Sequence, residues 1–181
     1  MVITYPVPEG EAASEDYKIT VNGQDARAYR CRVSAVPFNT VWPGYQRPLG
    51  QTETASFAYF DMSGGETEAE MEITVLRDFE EAVMRPLSKT KGRYTVKDKK
   101  VSFRFGGPGH YTLETDGFHN ALHIFINPVK DYGAEKEGPG VIYFGPGVHR
   151  PGKIELKSGE TLFIDGGAVV HTSVSSEGAS G

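Results

Sequence analysis

Turn chemistry punctuates this chain about every eight to twelve residues, and no other feature limits its fold so tightly. Tyr17–Val21 alternates apolar and polar side chains and is followed at once by Asn22-Gly23. Both turn residues tolerate positive φ, so the pair predicts a tight hairpin. Glu70–Leu76 alternates in the same way, with Met71, Ile73 and Val75 on one face. Arg93–Val96, the charged turn Lys97-Asp98-Lys99-Lys100 and Val101–Phe105 make a second hairpin, with Val101, Phe103 and Phe105 in line. Tyr111–Thr115, Asp116-Gly117 and Ala121–Ile126 make a third. A period of two places alternate residues on opposite sheet faces, whereas a helix would need 3.6. With 22 glycines and 11 prolines spread between such runs, the chain predicts an all-β fold, an antiparallel β-sandwich over residues 17–144.

The remaining segments fit around these hairpins. Val2–Tyr5 predicts a first strand inside a leader, residues 1–16, whose acidic stretch Glu9–Asp16 carries no structural signal. A return strand is expected over Ala26–Val33, with Tyr29, Cys31 and Val33 on one face and Arg30 and Arg32 on a solvated one. Thr54–Met62 has aromatic or apolar residues on both faces (Phe57 and Tyr59, Ala58 and Phe60), as a strand covered on both sides requires. Asp78–Ala82 suggests one helical turn, and Val83–Leu87 a short strand.

Composition narrows the function. The formal charge is −5 with no basic block, which argues against nucleic acid as a partner. No apolar run approaches membrane-spanning length, so no membrane partner is expected either. The opening MVITYPVPEG lacks the basic-then-apolar pattern of a signal peptide. Cys31 is the sole cysteine and excludes an internal disulfide. At 181 residues the chain makes one large domain, or one domain with an appendage.

The stretch Val141–Val170 differs from the rest. After Val141-Ile142-Tyr143-Phe144 come three brief runs, Lys153–Leu156, Thr161–Ile164 and Ala168–His171, separated by Pro151-Gly152, Ser158-Gly159 and Gly166-Gly167. Ile154/Leu156 and Leu162/Ile164 predict one inward face each. Two architectures suit this spacing: an antiparallel meander, or the first coil of a right-handed parallel β-helix. The segment YFGPGVHRPGKIELKSGETLFIDGGAVVH resembles the junction of glycoside hydrolases related to dextranases, isopullulanases and polygalacturonases. In those enzymes an N-terminal β-sandwich leads into a parallel β-helix. The resemblance implies a β-helix-like segment over 145–181 and catalytic carboxylates several coils further on. It therefore implies a non-catalytic accessory, carbohydrate-binding domain of a polysaccharide-degrading enzyme. The implied partners are a plant or microbial polysaccharide and a downstream β-helix catalytic domain, in an extracellular or periplasmic setting. The alternative is a purely structural cap of the β-helix.

Catalytic chemistry finds little support in the residues. A glycosidase needs two carboxyl groups about 5–5.5 Å apart if retaining and about 6.5–9.5 Å if inverting. Asp165 stands alone beside Gly166, and Asp61, Asp116 and Asp131 lie in or beside turns, where aspartate bonds its own backbone. His119 and His123 are four apart in a segment that reads as extended, about 13 Å and too far for one ion. His110, His149 and His171 are isolated. No cofactor is expected. A structural calcium is compatible with sandwich loops, but no ligand pattern supports one. Gly106-Gly107-Pro108-Gly109 is no phosphate loop, because proline removes a donor.

One loop has the chemistry of sugar recognition. Sugars stack C–H faces on flat rings and offer hydroxyls to amide and guanidinium groups. Trp42 and Tyr45 could supply rings, and Gln46 and Arg47 polar partners, between Pro43 and Pro48. The competing reading has Trp42 plugging one end of the sandwich and Arg47 pairing with a carboxylate. Tyr132 is a second candidate for sugar contact.

Overall fold

The computed structural model describes residues 1–35, 48–63, 68–131, 133 and 136–179. These divide into two compact units: Met1–Thr4 with Ala12–Val129, and Tyr5–Glu11 with Lys130–Gly181. Strand dominates the described residues, and the fold is all-β.

The first unit holds two sheets. One is five-stranded, in the order β3-β2-β6-β9-β8, built from β2 (Tyr17–Val21), β3 (Gln24–Asp25), β6 (Ala69–Val75), β8 (Tyr94–Lys97) and β9 (Lys100–Phe105), all antiparallel. The hairpin turns fall where the sequence put them: Asn22 and Asp98 sit at φ 48 and 52. The other sheet is six-stranded. It runs β1 (Val2–Thr4), β5 (Thr52–Met62), β11 (Leu122–Pro128), β10 (Gly109–Thr115) and β7 (Ala82–Arg85), with β4 (Tyr29–Ser34) also paired to β5. Its pairs are antiparallel except β5 with β11, which is parallel. Parallel neighbours need a long crossover, and the chain supplies one by building β6 to β10 between them.

Alternation decides the core. Met71, Ile73 and Val75 from β6, Phe103 and Phe105 from β9, and Leu113, Leu122, Ile124 and Phe60 from the six-stranded sheet share one buried cluster. Each fully buried side chain of this size contributes about 1.5–3 kcal/mol relative to exposure. Phe103 meets Tyr111 edge-on, with centroids 4.9 Å apart, and stacks beside Phe105 at 5.8 Å. β5 is buried on one face and only partly covered on the other: Ala58 and Phe60 enter the core, while on the outward face Ala55 is buried but Phe57 and Tyr59 are half-buried, short of the full cover expected.

Three expectations change. The return strand is not continuous over Ala26–Val33. β3 pairs with β2 for two residues, the chain crosses at Ala26–Ala28, and β4 joins the opposite sheet. Ala26 and Ala28 are both buried in the core, and their small side chains suit a crossing between layers. Asp78–Ala82 is not helical. Asp116 instead accepts the N–H groups of Glu80 and Glu81, both at 2.9 Å, which holds the segment open. Among the described residues the one α-helical turn is α1 (Leu87–Thr90). The leader also carries structure, because Ala13 bridges Tyr29 and the Ser14 hydroxyl accepts the N–H groups of Asp16 and Tyr17.

The second unit contains β12 (Val141–Phe144), β13 (Gly147–Glu155), β14 (Thr161–Ile164) and β15 (Ala168–Ser175). β12 pairs in parallel with β14, Val141 opposite Thr161, and β13 in parallel with β15, Gly147 opposite Ala168. Successive strands of a meander pair antiparallel, so the meander does not describe this stretch. Val141–Phe144, read from the sequence as the last sandwich strand, takes its partner from this unit. Within it Ile154 is buried as expected, but Ile164 is 47% exposed. No helix among the described residues is long and apolar enough to cross a membrane.

Candidate functional site

The candidate sugar-binding residues Trp42, Tyr45, Gln46, Arg47 and Tyr132 lie outside the described residues. What is described is how their segments are anchored. Ser34 pairs with Thr52, so β4 and β5 form the base of the tryptophan loop. Ala35 donates its N–H to the Gln51 carbonyl at 3.0 Å. A short 3-10 turn over Leu49–Gln51 is tied to β5 by the Thr52 hydroxyl on the Leu49 carbonyl, at 2.8 Å. In the second unit, the Asp131 carboxylate accepts the Gly133 N–H at 2.8 Å.

Asp165 has more company than a lone turn residue. Its carboxylate accepts Lys136 Nζ at 2.5 Å, the Tyr143 hydroxyl at 2.8 Å and the Gly166 N–H at 2.9 Å. The Lys136 hydrogen bond, then the Tyr143 hydroxyl, hold this carboxyl below the usual range. By the same bonds Lys136 and Tyr143 are held above theirs. A carboxylate satisfied by three donors is a poor proton acceptor. The arrangement ties β12, the start of the β14–β15 turn and the segment before β12 together. A second ionic cluster in this unit joins Glu11 to His171 Nε2 at 2.6 Å and to Arg150 at 3.7 Å.

His119 and His123 do not share the extended run that their segment suggested. His119 lies in a turn, with Nδ1 bonded to Glu53, and His123 lies on β11, with Nδ1 3.3 Å from the Thr112 hydroxyl. Among the described residues no group of three or more His, Cys, Asp or Glu is placed to hold a metal ion. Asp116 sits at φ 58 and serves its turn. The N–H groups of Glu81 and Glu80 lower its pKa.

No protein-family model matches the chain, and no curated protein does. Assignment therefore rests on geometry and on the chemistry of the side chains. One surface was not evident from the sequence: the outward face of the six-stranded sheet. Its register sets Tyr59 of β5 beside Phe125 of β11, and Phe125 beside His110 of β10. Phe125 is 37% exposed, and the His110 ring meets it edge-on at 5.2 Å. The even spacing of Phe57 and Tyr59 was visible in the sequence. That a strand some 65 positions later would lie parallel beside it was not, because sequence patterns do not specify which strands become neighbours.

Proposed function

We propose that this chain is a non-catalytic, carbohydrate-binding accessory module of a polysaccharide-degrading glycoside hydrolase. In this reading the first unit attaches to glycan, and the second begins a parallel β-helix that carries the catalytic groups on later coils. The observation that carries it is the parallel pairing of β12 with β14 and of β13 with β15, partners 20 and 21 positions apart at Val141–Thr161 and Gly147–Ala168. A chain that returns to the same strand position after one such interval, twice and in parallel, follows the path one coil of a β-helix would take, and this supports the reading. The satisfied state of Asp165 supports a structural rather than a proton-transferring role for that residue.

The test uses the full chain against dextran, pullulan, xylan and polygalacturonate. Retarded migration in a gel containing at least one of these, with no release of reducing ends, is the expected result. Reducing-end release that disappears when one acid of this chain is replaced would end the non-catalytic reading. The same parallel ladders favour a second reading, in which the chain only caps a β-helix. That reading predicts no retardation by any glycan and no change in the fluorescence of Trp42, the sole tryptophan.

A further inference from the structure

We propose that the outward face of the six-stranded sheet is a binding platform for an uncharged oligosaccharide chain; this rests on the glycan-binding reading above and gives it a site. Two rows of side chains cross three adjacent strands. The first is Tyr59, Phe125 and His110, linked by register on β5, β11 and β10. Strands lie about 4.8 Å apart, so the three rings span about 10 Å across the sheet. The second row lies two residues along. It is Phe57, His123 and Thr112, with the Thr112 hydroxyl 3.3 Å from His123 Nδ1, and both Phe57 and Tyr59 stack on Tyr29, at 5.0 and 5.8 Å. At about 3.3 Å per residue the rows are about 6.6 Å apart.

A ring row beside a second row whose β11 and β10 members, His123 and Thr112, are polar matches the two faces that a pyranose chain offers. Ring faces meet sugar C–H groups, while imidazole and hydroxyl groups meet the sugar hydroxyls. Phe125 matters most, because a side chain 37% exposed on a sheet face takes no part in the buried core. Charge selects the class of glycan. Arg85 lies at the end of the second row, opposite Thr112, and its Nε bonds Glu114 at 2.9 Å. That cation is thus paired, and Asp61, two residues beyond Tyr59 on the same face of β5, adds a further carboxylate, so the face suits a neutral polyol rather than a polyuronate.

The experiment compares the wild-type chain, Phe125→Ala, Phe125→Tyr, His123→Ala and Trp42→Ala in gels containing dextran, pullulan, xylan or polygalacturonate. Melting temperature is measured for each variant. Expected are retardation by a neutral glycan, about tenfold weaker binding for Phe125→Ala at unchanged melting temperature, and retained binding for Phe125→Tyr. Wild-type affinity in both Phe125→Ala and His123→Ala would overturn the platform. If Trp42→Ala alone abolished binding in that case, the glycan-binding reading would survive without this site. Retardation by polygalacturonate only would overturn the uncharged ligand. Retardation by nothing would overturn the platform and the glycan-binding reading together.

Discussion

Tyr17 joins the two sheets of the sandwich, and its hydroxyl offers a sharp test of how they are held. The ring is buried at 2% exposure. Its hydroxyl donates to the Asn120 carbonyl at 2.8 Å and lies 3.1 Å from the Thr115 hydroxyl. Arg77 reaches into the same group, bonding the Thr115 hydroxyl and carbonyl. Arg77 Nε is itself buried without a partner among the described residues, so the cluster already carries one unsatisfied donor and offers no spare acceptor for it. Tyr17→Phe keeps the ring and removes only the hydroxyl. The Asn120 carbonyl loses its donor, and a buried polar group left unpaired costs about 1–3 kcal/mol. Taking about 2 kcal/mol and about 2–4 °C per kcal/mol for a chain of this size, the melting temperature should fall by about 4–8 °C. Thermal denaturation followed by circular dichroism measures it. Thr115→Val and the double variant complete a cycle, in which the two losses should be less than additive because they share one network. A Tyr17→Phe variant that melts within about 1 °C of wild type would refute the claim that this hydroxyl is indispensable.

Three further outcomes follow from the packing and the ion pairs. Phe103→Ala, which empties a fully buried site between Phe105 and Tyr111, should cost about 3–5 kcal/mol in denaturant unfolding; a loss under about 1 kcal/mol would mean the two sheets collapse to refill it. Gly166→Ala would drive a Cβ into the Tyr5 ring, so protease resistance of the second unit should drop, while Gly92→Ala, with open space but φ 75, should leave that unit untouched. The Asp165 carboxyl has a folded pKa below its unfolded one. Its stabilisation is therefore present above the ordinary aspartate range, about 3.9, and is lost as the pH falls through the lowered folded value. Carbon-detected NMR titration of Asp165 should show the low midpoint, and a midpoint at or above the ordinary one would remove Lys136 and Tyr143 as its partners.

How much of this could be read beforehand depended on whether the cause was local. Val21-Asn22-Gly23 and Lys97–Lys100 fix their hairpins through backbone preferences of two residues, so pattern alone suffices. Met71, Ile73 and Val75 are buried for the same reason, a period of two meeting one apolar face. The break at Ala26–Ala28 was not legible. Those alanines fit a continuous strand as readily as a crossing, and only the demand of the second sheet for β4 decides. The parallel partnership of β5 and β11 depends on tertiary neighbours in the same way, and with it the row from Tyr59 to His110. Asp165 reads as a lone carboxylate beside Gly166, because Lys136 is 29 positions away and no local signal joins them.

The division of the N-terminus between the units reaches beyond folding. Met1–Thr4 belongs to the first unit, Tyr5–Glu11 to the second, and the chain returns to the first at Ala12. Covalent connectivity therefore runs between the units at three points along the backbone, after Thr4, after Glu11 and after Val129. A protease nick between 129 and 136 would sever only the last of these. The amino-terminal fragment would still hold Tyr5–Glu11, with Glu11 bound to His171 and Arg150 of the other piece. After such a nick the two pieces would be held by non-covalent contacts of this kind and no longer by the backbone.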